Sequence, residues 1–151
     1  MLSFKMFLCA LTLTLLAVSL EASKGGGTPN YNYDLSGSDL TRLYNSRVYK
    51  AERMKRPLDG SSVIFGPFSH SGVRVTLIDG AQWLVHKGGN YGISSDTVVV
   101  DVRHMGPQWR VVETAEFEGR KTVADFVAAG GSDYSLIFDN CHMGSRRMMN
   151  Q

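Results

Sequence analysis

The stretch GVRVTLIDGAQWLVH, residues 72–86, determines the fold class that the sequence predicts. Val73, Val75 and Leu77 alternate with polar residues, which is the period-two pattern of a half-buried strand. Asp79 followed by Gly80 is a hairpin turn signal, and residues 82–86 then form the return strand. The stretch therefore predicts an antiparallel hairpin.

Upstream of the hairpin, the sequence predicts one helix over residues 38–56. Apolar residues recur there with a helical period: Leu40, Leu43, Tyr44, Val48 and Ala51. Ser38 is a suitable N-cap, and Pro57 ends the helix. The basic residues Arg53, Lys55 and Arg56 are interpreted as a solvated helix end rather than as a binding patch.

The remaining elements are predicted from composition and turn residues. Residues 63–65, 97–102 and 109–117 read as strands, whereas 122–129 and 140–149 read as short helices. The coarse order is a helix, four or five antiparallel strands and two short helices. This order predicts an α+β fold, an antiparallel sheet of four or five strands with flanking helices. The glycine-rich loop 87–95 lacks the Gly-Lys-Ser/Thr ending of a phosphate-binding loop.

The N-terminus has the pattern of a secretory signal peptide. Lys5 supplies a positive charge, and residues 6–20 are uncharged and largely apolar. Cleavage after Ser19 and cleavage after Ala22 both fit, and an uncleaved anchor is the alternative. We expect a signal peptide at 1–22, a flexible leader at 23–37 and a single α+β domain at 38–151. The protein is thus predicted to be secreted and extracellular.

Composition excludes several classes of partner. The chain is 43% hydrophobic and 20% charged, which predicts a folded domain, and its formal net charge is only +2. Such a charge gives no electrostatic footprint for nucleic acid. No apolar stretch after the signal peptide is long enough for a transmembrane segment.

The cysteine count leaves three alternatives. Of the two cysteines, Cys9 would be removed with the signal peptide, so Cys141 has no intramolecular partner. It is a reactive thiol, the bridge of a disulfide-linked dimer, or a buried and inert side chain.

The surroundings of Cys141 favour reactivity. Asp139 and Asn140 are good N-cap residues, so Cys141 would lie in the first turn of a helix, where backbone N–H groups stabilise a thiolate or an oxyanion. A cysteine nucleophile also needs a base. His70 precedes the first strand of the hairpin and His86 ends the second, so we expect the two to meet at its open end. His104 and His142 are interpreted as ordinary surface histidines.

Two segments carry a family resemblance: HSGVRVTLIDGAQWLVHKG, residues 70–88, and YSLIFDNCH, residues 134–142. Together they resemble the permuted papain-like thiol domain of the NlpC/P60 superfamily, in the order of lecithin–retinol acyltransferase-like and PPPDE-type proteins. In that group a His-x-Gly strand comes first and an Asn-Cys helix start comes last. The resemblance implies a permuted papain-like fold with Cys141 as nucleophile, His70 as general base and His86 as the orienting residue. It implies no cofactor.

The resulting prediction is a secreted cysteine hydrolase or acyltransferase. It would act through a thioester on a small amide, peptide or ester. The alternative is a non-catalytic secreted module that binds a protein partner. One departure supports this alternative: the chain reads Asn-Cys-His-Met-Gly where the acyltransferase-like branch reads Asn-Cys-Glu-His-Phe. A zinc site formed by Cys141, His142 and the strand histidines is a third reading, but only one thiolate and no Cys-x-x-Cys or His-x-x-x-His spacing are present.

Overall fold

A computed structural model describes Leu35 and residues 37–66, 68–87, 97–133 and 139–151. Within these residues the chain is α+β, with three helices packed against an open antiparallel sheet of five strands. In chain order the elements are α1 (Gly37–Asn45), β1 (Arg47–Pro57), β2 (Ser69–Leu77), β3 (Gln82–Lys87), β4 (Thr97–Asp101), a 3-10 turn (Val102–His104), β5 (Arg110–Thr122), α2 (Val123–Gly130) and α3 (Cys141–Met149). The strand order is β4-β3-β2-β1-β5. The α+β prediction is confirmed.

The predicted hairpin is β2 and β3. Val73 lies opposite Val85, and Val75 opposite Trp83. The turn is closed by the N–H of Gly80, which donates to the carbonyl of Leu77, and Gly80 adopts the left-handed φ of +83° that favours glycine. This turn fixes the register that places the two strand-end histidines.

The predicted helix over residues 38–56 is wrong beyond Asn45. The second half is β1, an interior strand, which pairs with β2 on one side and with the edge strand β5 on the other. Residues three apart in a regular strand point to opposite faces of the sheet. An irregularity between Val48 and Lys50 shifts the register, so Val48 and Ala51 instead enter the same core cluster. A β-bulge therefore reproduced the spacing of a helical face.

The basic residues of β1 are also not a solvated helix end. Arg56 is buried and donates to the carbonyl of Pro57, and Arg53 donates to Glu113 at 2.8 Å. The neighbouring Glu52 is buried and accepts from Arg74 at 2.7 Å. Cross-strand partners, which the local sequence does not reveal, make a charged interior strand tolerable.

Both C-terminal helices are confirmed, and β5 is longer than predicted. Helix α2 starts with a capping box, in which Thr122 and Asp125 satisfy each other's backbone N–H groups. Residues 63–65 form no strand, only an isolated bridge between Phe65 and Phe68. The predicted signal peptide, nearly all of the predicted leader, the glycine-rich loop after Lys87 and the apolar segment 134–138 lie outside the described residues.

Apolar side chains cover both faces of the sheet. The helix-covered face carries the larger cluster, which includes Val73, Val75, Leu77, Val85, Phe126 and Met148. The opposite face carries a smaller one of Met54, Leu84, Val98, Val100 and Trp109. Among the helices described, none is long and apolar enough to cross a membrane.

Candidate functional site

Two histidines form a buried pair at one end of the sheet. The Nε2 atom of His70, in β2, lies 3.0 Å from Nδ1 of His86, in β3, and both side chains are buried. In the ladder His86 is opposite Gly72, two residues after His70 and therefore on the same face. A Cβ at Gly72 would lie 2.8 Å from the Cβ of His86. Glycine at this position lets the histidine-bearing strands approach.

The environment of His70 keeps its imidazole neutral. Its ring lies 5.5 Å from that of Trp109, and the Arg56 guanidinium stacks over the same indole. Burial holds the pKa of His70 well below its ordinary 6.5, and the positive charges of His86, Arg56 and His142 lower it further. At neutral pH His70 is therefore available as a proton acceptor.

Cys141 is the first residue of α3, as predicted, and its side chain is only 7% exposed. Asn140 caps the helix, because its Oδ1 accepts from the N–H groups of His142 and Met143 at 3.0 and 3.1 Å. Burial raises the pKa of the Cys141 thiol. Backbone hydrogen bonds from Ser71, His142 and Cys141 itself, and the charge of Arg56, act in the opposite direction.

Ser71 connects the histidine-bearing strand to α3. Its Oγ lies 2.8 Å from Oγ of Ser145, in α3, and 3.1 Å from the carbonyl oxygen of Met54. The backbone of Ser71 also acts to lower the pKa of Cys141, so the peptide between His70 and Ser71 lies near the thiol. The structure brings His70 and His86 together and places Cys141 at the same end of the sheet. Strand alternation directs both imidazoles to the face of Trp109, opposite the face that α3 covers.

The directions of the pKa shifts define the resting state of this site. A cysteine with a raised pKa and a histidine with a lowered pKa are both uncharged near pH 7. A neutral thiol and a neutral imidazole therefore fit these directions better than a preformed thiolate–imidazolium pair. Proton transfer would then accompany attack on a substrate.

Several residues of the site were not singled out from the sequence. Lys55, in β1, lies opposite Ser71. Burial and the positive charges of Arg53 and Arg146 lower the pKa of Lys55, whereas its interaction with Cys141 acts in the opposite direction. His142 is half-buried rather than at the surface. Lys87 follows Val85 by two residues, and this spacing puts the lysine on the helix-covered face, a signal that could have been read.

The described part of the chain contains no group of three or more His, Cys, Asp or Glu side chains arranged to hold a metal ion. Cys141 is a free, buried cysteine there. Comparison with models of known protein families, with curated proteins and with solved structures gave no significant match to this chain. The function is therefore argued from the site itself.

Proposed function

We propose that the protein is a secreted papain-like cysteine hydrolase or acyltransferase with the permuted arrangement. Cys141 is the nucleophile, His70 the general base and His86 the residue that orients the base. One observation carries the proposal: a buried 3.0 Å contact between His70 and His86, at the end of the sheet where α3 begins with Cys141.

The orienting role of His86 follows from the atoms that meet. The contact uses Nε2 of His70 and Nδ1 of His86. When Nε2 of His70 carries the proton and donates it to this bond, Nδ1 of His70 is the basic nitrogen. A fixed tautomer places that nitrogen for proton transfer, which is the purpose of the third residue in nucleophilic triads.

The reaction follows general-base catalysis of thioester formation. His70 takes the thiol proton as the Cys141 sulfur bonds to the substrate carbonyl carbon, and the carbonyl oxygen becomes an oxyanion. The backbone N–H of Cys141, at the helix start, is a suitable donor to that oxyanion. The intermediate collapses to a thioester, and the leaving amine or alcohol takes the proton from His70. Water, or an acceptor amine or alcohol, then loses a proton to His70 as its oxygen or nitrogen bonds to the thioester carbon. The carbon–sulfur bond breaks, the acyl product leaves, and the Cys141 sulfur takes the proton back from His70.

A second candidate has its own support. Cys141 is nearly inaccessible, and burial dominates the shift of its pKa, as expected for a thiol that serves as a small apolar core residue. In that case the protein is a non-catalytic secreted binding or structural module. A disulfide-linked dimer through Cys141 is disfavoured by the same burial, since the sulfur must reach the surface to form the bridge.

The alkylation rate of the Cys141 thiol discriminates between the two candidates. The secreted protein is treated with iodoacetamide from pH 4 to 9, as parent, as His70→Ala and as His104→Ala, a matched histidine outside the site. We expect the reaction of the parent at pH 7 to depend on His70, so that His70→Ala reacts about 100-fold more slowly, the low end of general-base effects. His104→Ala should match the parent. An acyl adduct on Cys141 after incubation with p-nitrophenyl acetate, seen by mass spectrometry, would extend the result to acyl transfer.

An unreactive thiol contradicts the catalytic proposal. So does a thiol that reacts equally fast in the parent and in His70→Ala. Either result would leave the binding or structural module as the better account.

A further inference from the structure

A fully buried lysine lies next to the candidate site and takes no part in the proposed chemistry. The side chain of Lys87 is 0% exposed. Its Nζ lies 2.9 Å from Oδ1 of Asp139 and donates to the carbonyl oxygen of Gly130 at 2.9 Å. A buried ammonium is costly unless it is paired and hydrogen-bonded. Lys87 therefore requires these partners to stay in place.

Arg147 completes the same cluster. Its Nη2 lies 2.7 Å from Oδ1 of Asp139 and 2.6 Å from the carbonyl oxygen of Gly130, and its Nε donates to the carbonyl of Ala129. The two cations share one carboxylate and one carbonyl at the end of α2. Hydrogen bonds from both cations lower the pKa of Asp139 against a raising effect of burial. The carboxylate is thus charged at neutral pH.

Lys87 and Asp139 are each close in sequence to a predicted site residue. Lys87 directly follows His86, and Asp139 precedes Cys141 by two residues, with only the N-cap Asn140 between them. The ion pair joins the histidine-bearing end of β3 to the segment that enters α3. Gly131 lies beside the two cations, and its φ of +81° is the left-handed backbone conformation that favours glycine.

We propose that the Lys87–Asp139 ion pair is a positioning device that holds the start of α3, and hence the Cys141 thiol, in register with the His70–His86 pair. The inference rests on the proposed function for its catalytic meaning, but its test reads the thiol directly. Besides each other, Lys87 and Asp139 bond to the Gly130 carbonyl and to Arg147, respectively, rather than to the sulfur or the imidazoles. It acts through the main chain on each side, so Lys87 and Asp139 are positioning residues.

A substitution at Lys87 should be milder than one at Asp139. Lys87→Met has similar length, removes the buried charge, and leaves Asp139 and the Gly130 carbonyl with Arg147. Asp139→Asn leaves a buried cation facing a neutral amide and is expected to cost more stability. Arg74→Met is the matched control, because it removes one cation from Glu52 and leaves Lys50 as the remaining partner.

The test measures two quantities for each variant of the secreted protein: the iodoacetamide reaction rate of Cys141 across pH 4 to 9, and the urea midpoint of unfolding. The charged groups around the thiol, Lys55 and Arg56 on β1 with His142 and Arg146 on α3, are the same in all variants. We expect both Lys87→Met and Arg74→Met to lower the urea midpoint. Only Lys87→Met should slow alkylation at pH 7, by about tenfold, the effect of losing one hydrogen bond to a charged group.

The outcomes separate this inference from the proposed function. An activated, His70-dependent thiol in the parent that is unchanged in Lys87→Met overturns the positioning role and leaves the proposed function intact. A thiol that is unactivated in the parent contradicts the proposed function, and a further drop in its rate in Lys87→Met would still support positioning. If Lys87→Met does not fold, Lys87→Gln, which also removes the charge but keeps an N–H donor for the buried acceptors, decides the question by the same two measurements.

Discussion

The two halves of strand β2 both bury the side chains that face the protein interior, but they differ in chemistry. Its second half presents Val73, Val75 and Leu77 to the helices, where they need only close packing. Its first half buries Ser69, His70 and Ser71, each with a hydrogen-bond partner. Buried polar groups without partners are destabilising, so every contact in the first half must be made together. The apolar half holds the sheet, whereas the polar half arranges specific atoms.

The largest expected effect is the loss of stability when a packed side chain is removed from the apolar half of β2. Leu77→Ala should lower the free energy of unfolding by about 2–5 kcal/mol, because Leu77 is only 7% exposed and leaves a cavity. Its neighbour Ile78, 74% exposed, is the control, and Ile78→Ala should change stability by about 0.5 kcal/mol or less. Urea denaturation measures both. If the iodoacetamide rate at Cys141 changes together with stability in Leu77→Ala, the apolar and polar halves of β2 are not independent.

The second prediction concerns pH and the polar half. The unfolded chain protonates His70 near its ordinary pKa of 6.5, whereas the folded protein does so only at much lower pH. As pH falls below about 6.5 the unfolded state gains the proton first, so His70 makes the free energy of unfolding fall by up to about 1.4 kcal/mol per pH unit. His70→Gln should flatten this decline between pH 6.5 and 5 in urea denaturation. Equal slopes for the parent and the variant would mean that His70 is protonated in the folded state.

The smallest effect is expected at the edge of the polar half. Lys55 lies within the electrostatic reach of Cys141, so it should favour a negatively charged reagent there. Lys55→Met should lower the ratio of iodoacetate to iodoacetamide rates at Cys141 about two- to fivefold at low salt, with a smaller change at high salt. Lys50→Met, in the same strand, is the control. A ratio that is the same in Lys55→Met and in the parent would show that this lysine does not contribute to the field at the thiol.

The sequence predicted the elements whose signals are local. The β2–β3 hairpin follows from alternation and from a turn at Asp79 and Gly80, and α3 follows from Asn140 as its cap. The meeting of His70 and His86 then needed only antiparallel pairing. Strand β1 was missed because its stability comes from partners far along the chain, with Arg74 and Glu113 pairing its charges, and because a bulge imitated helical spacing.

Contacts between distant segments also explain what was missed at the site. The tie between Ser71 and Ser145, and that between Lys87 and Asp139, join residues more than 50 positions apart. Each residue looks ordinary in its own segment. Only the packing of α3 on the sheet gives Lys87 its carboxylate and Ser71 its sulfur neighbour. The predicted roles of Cys141, His70 and His86 stay predictions until the thiol is measured.

Gly72 gives the histidine pair a requirement that lies outside the pair. A methyl group there would collide with the Cβ of His86 and with Leu84. The smallest unit that could be copied onto another hairpin is therefore three residues, two imidazoles and the hydrogen atom that glycine has in place of a side chain. A search for such pairs in other proteins should include that glycine in its template.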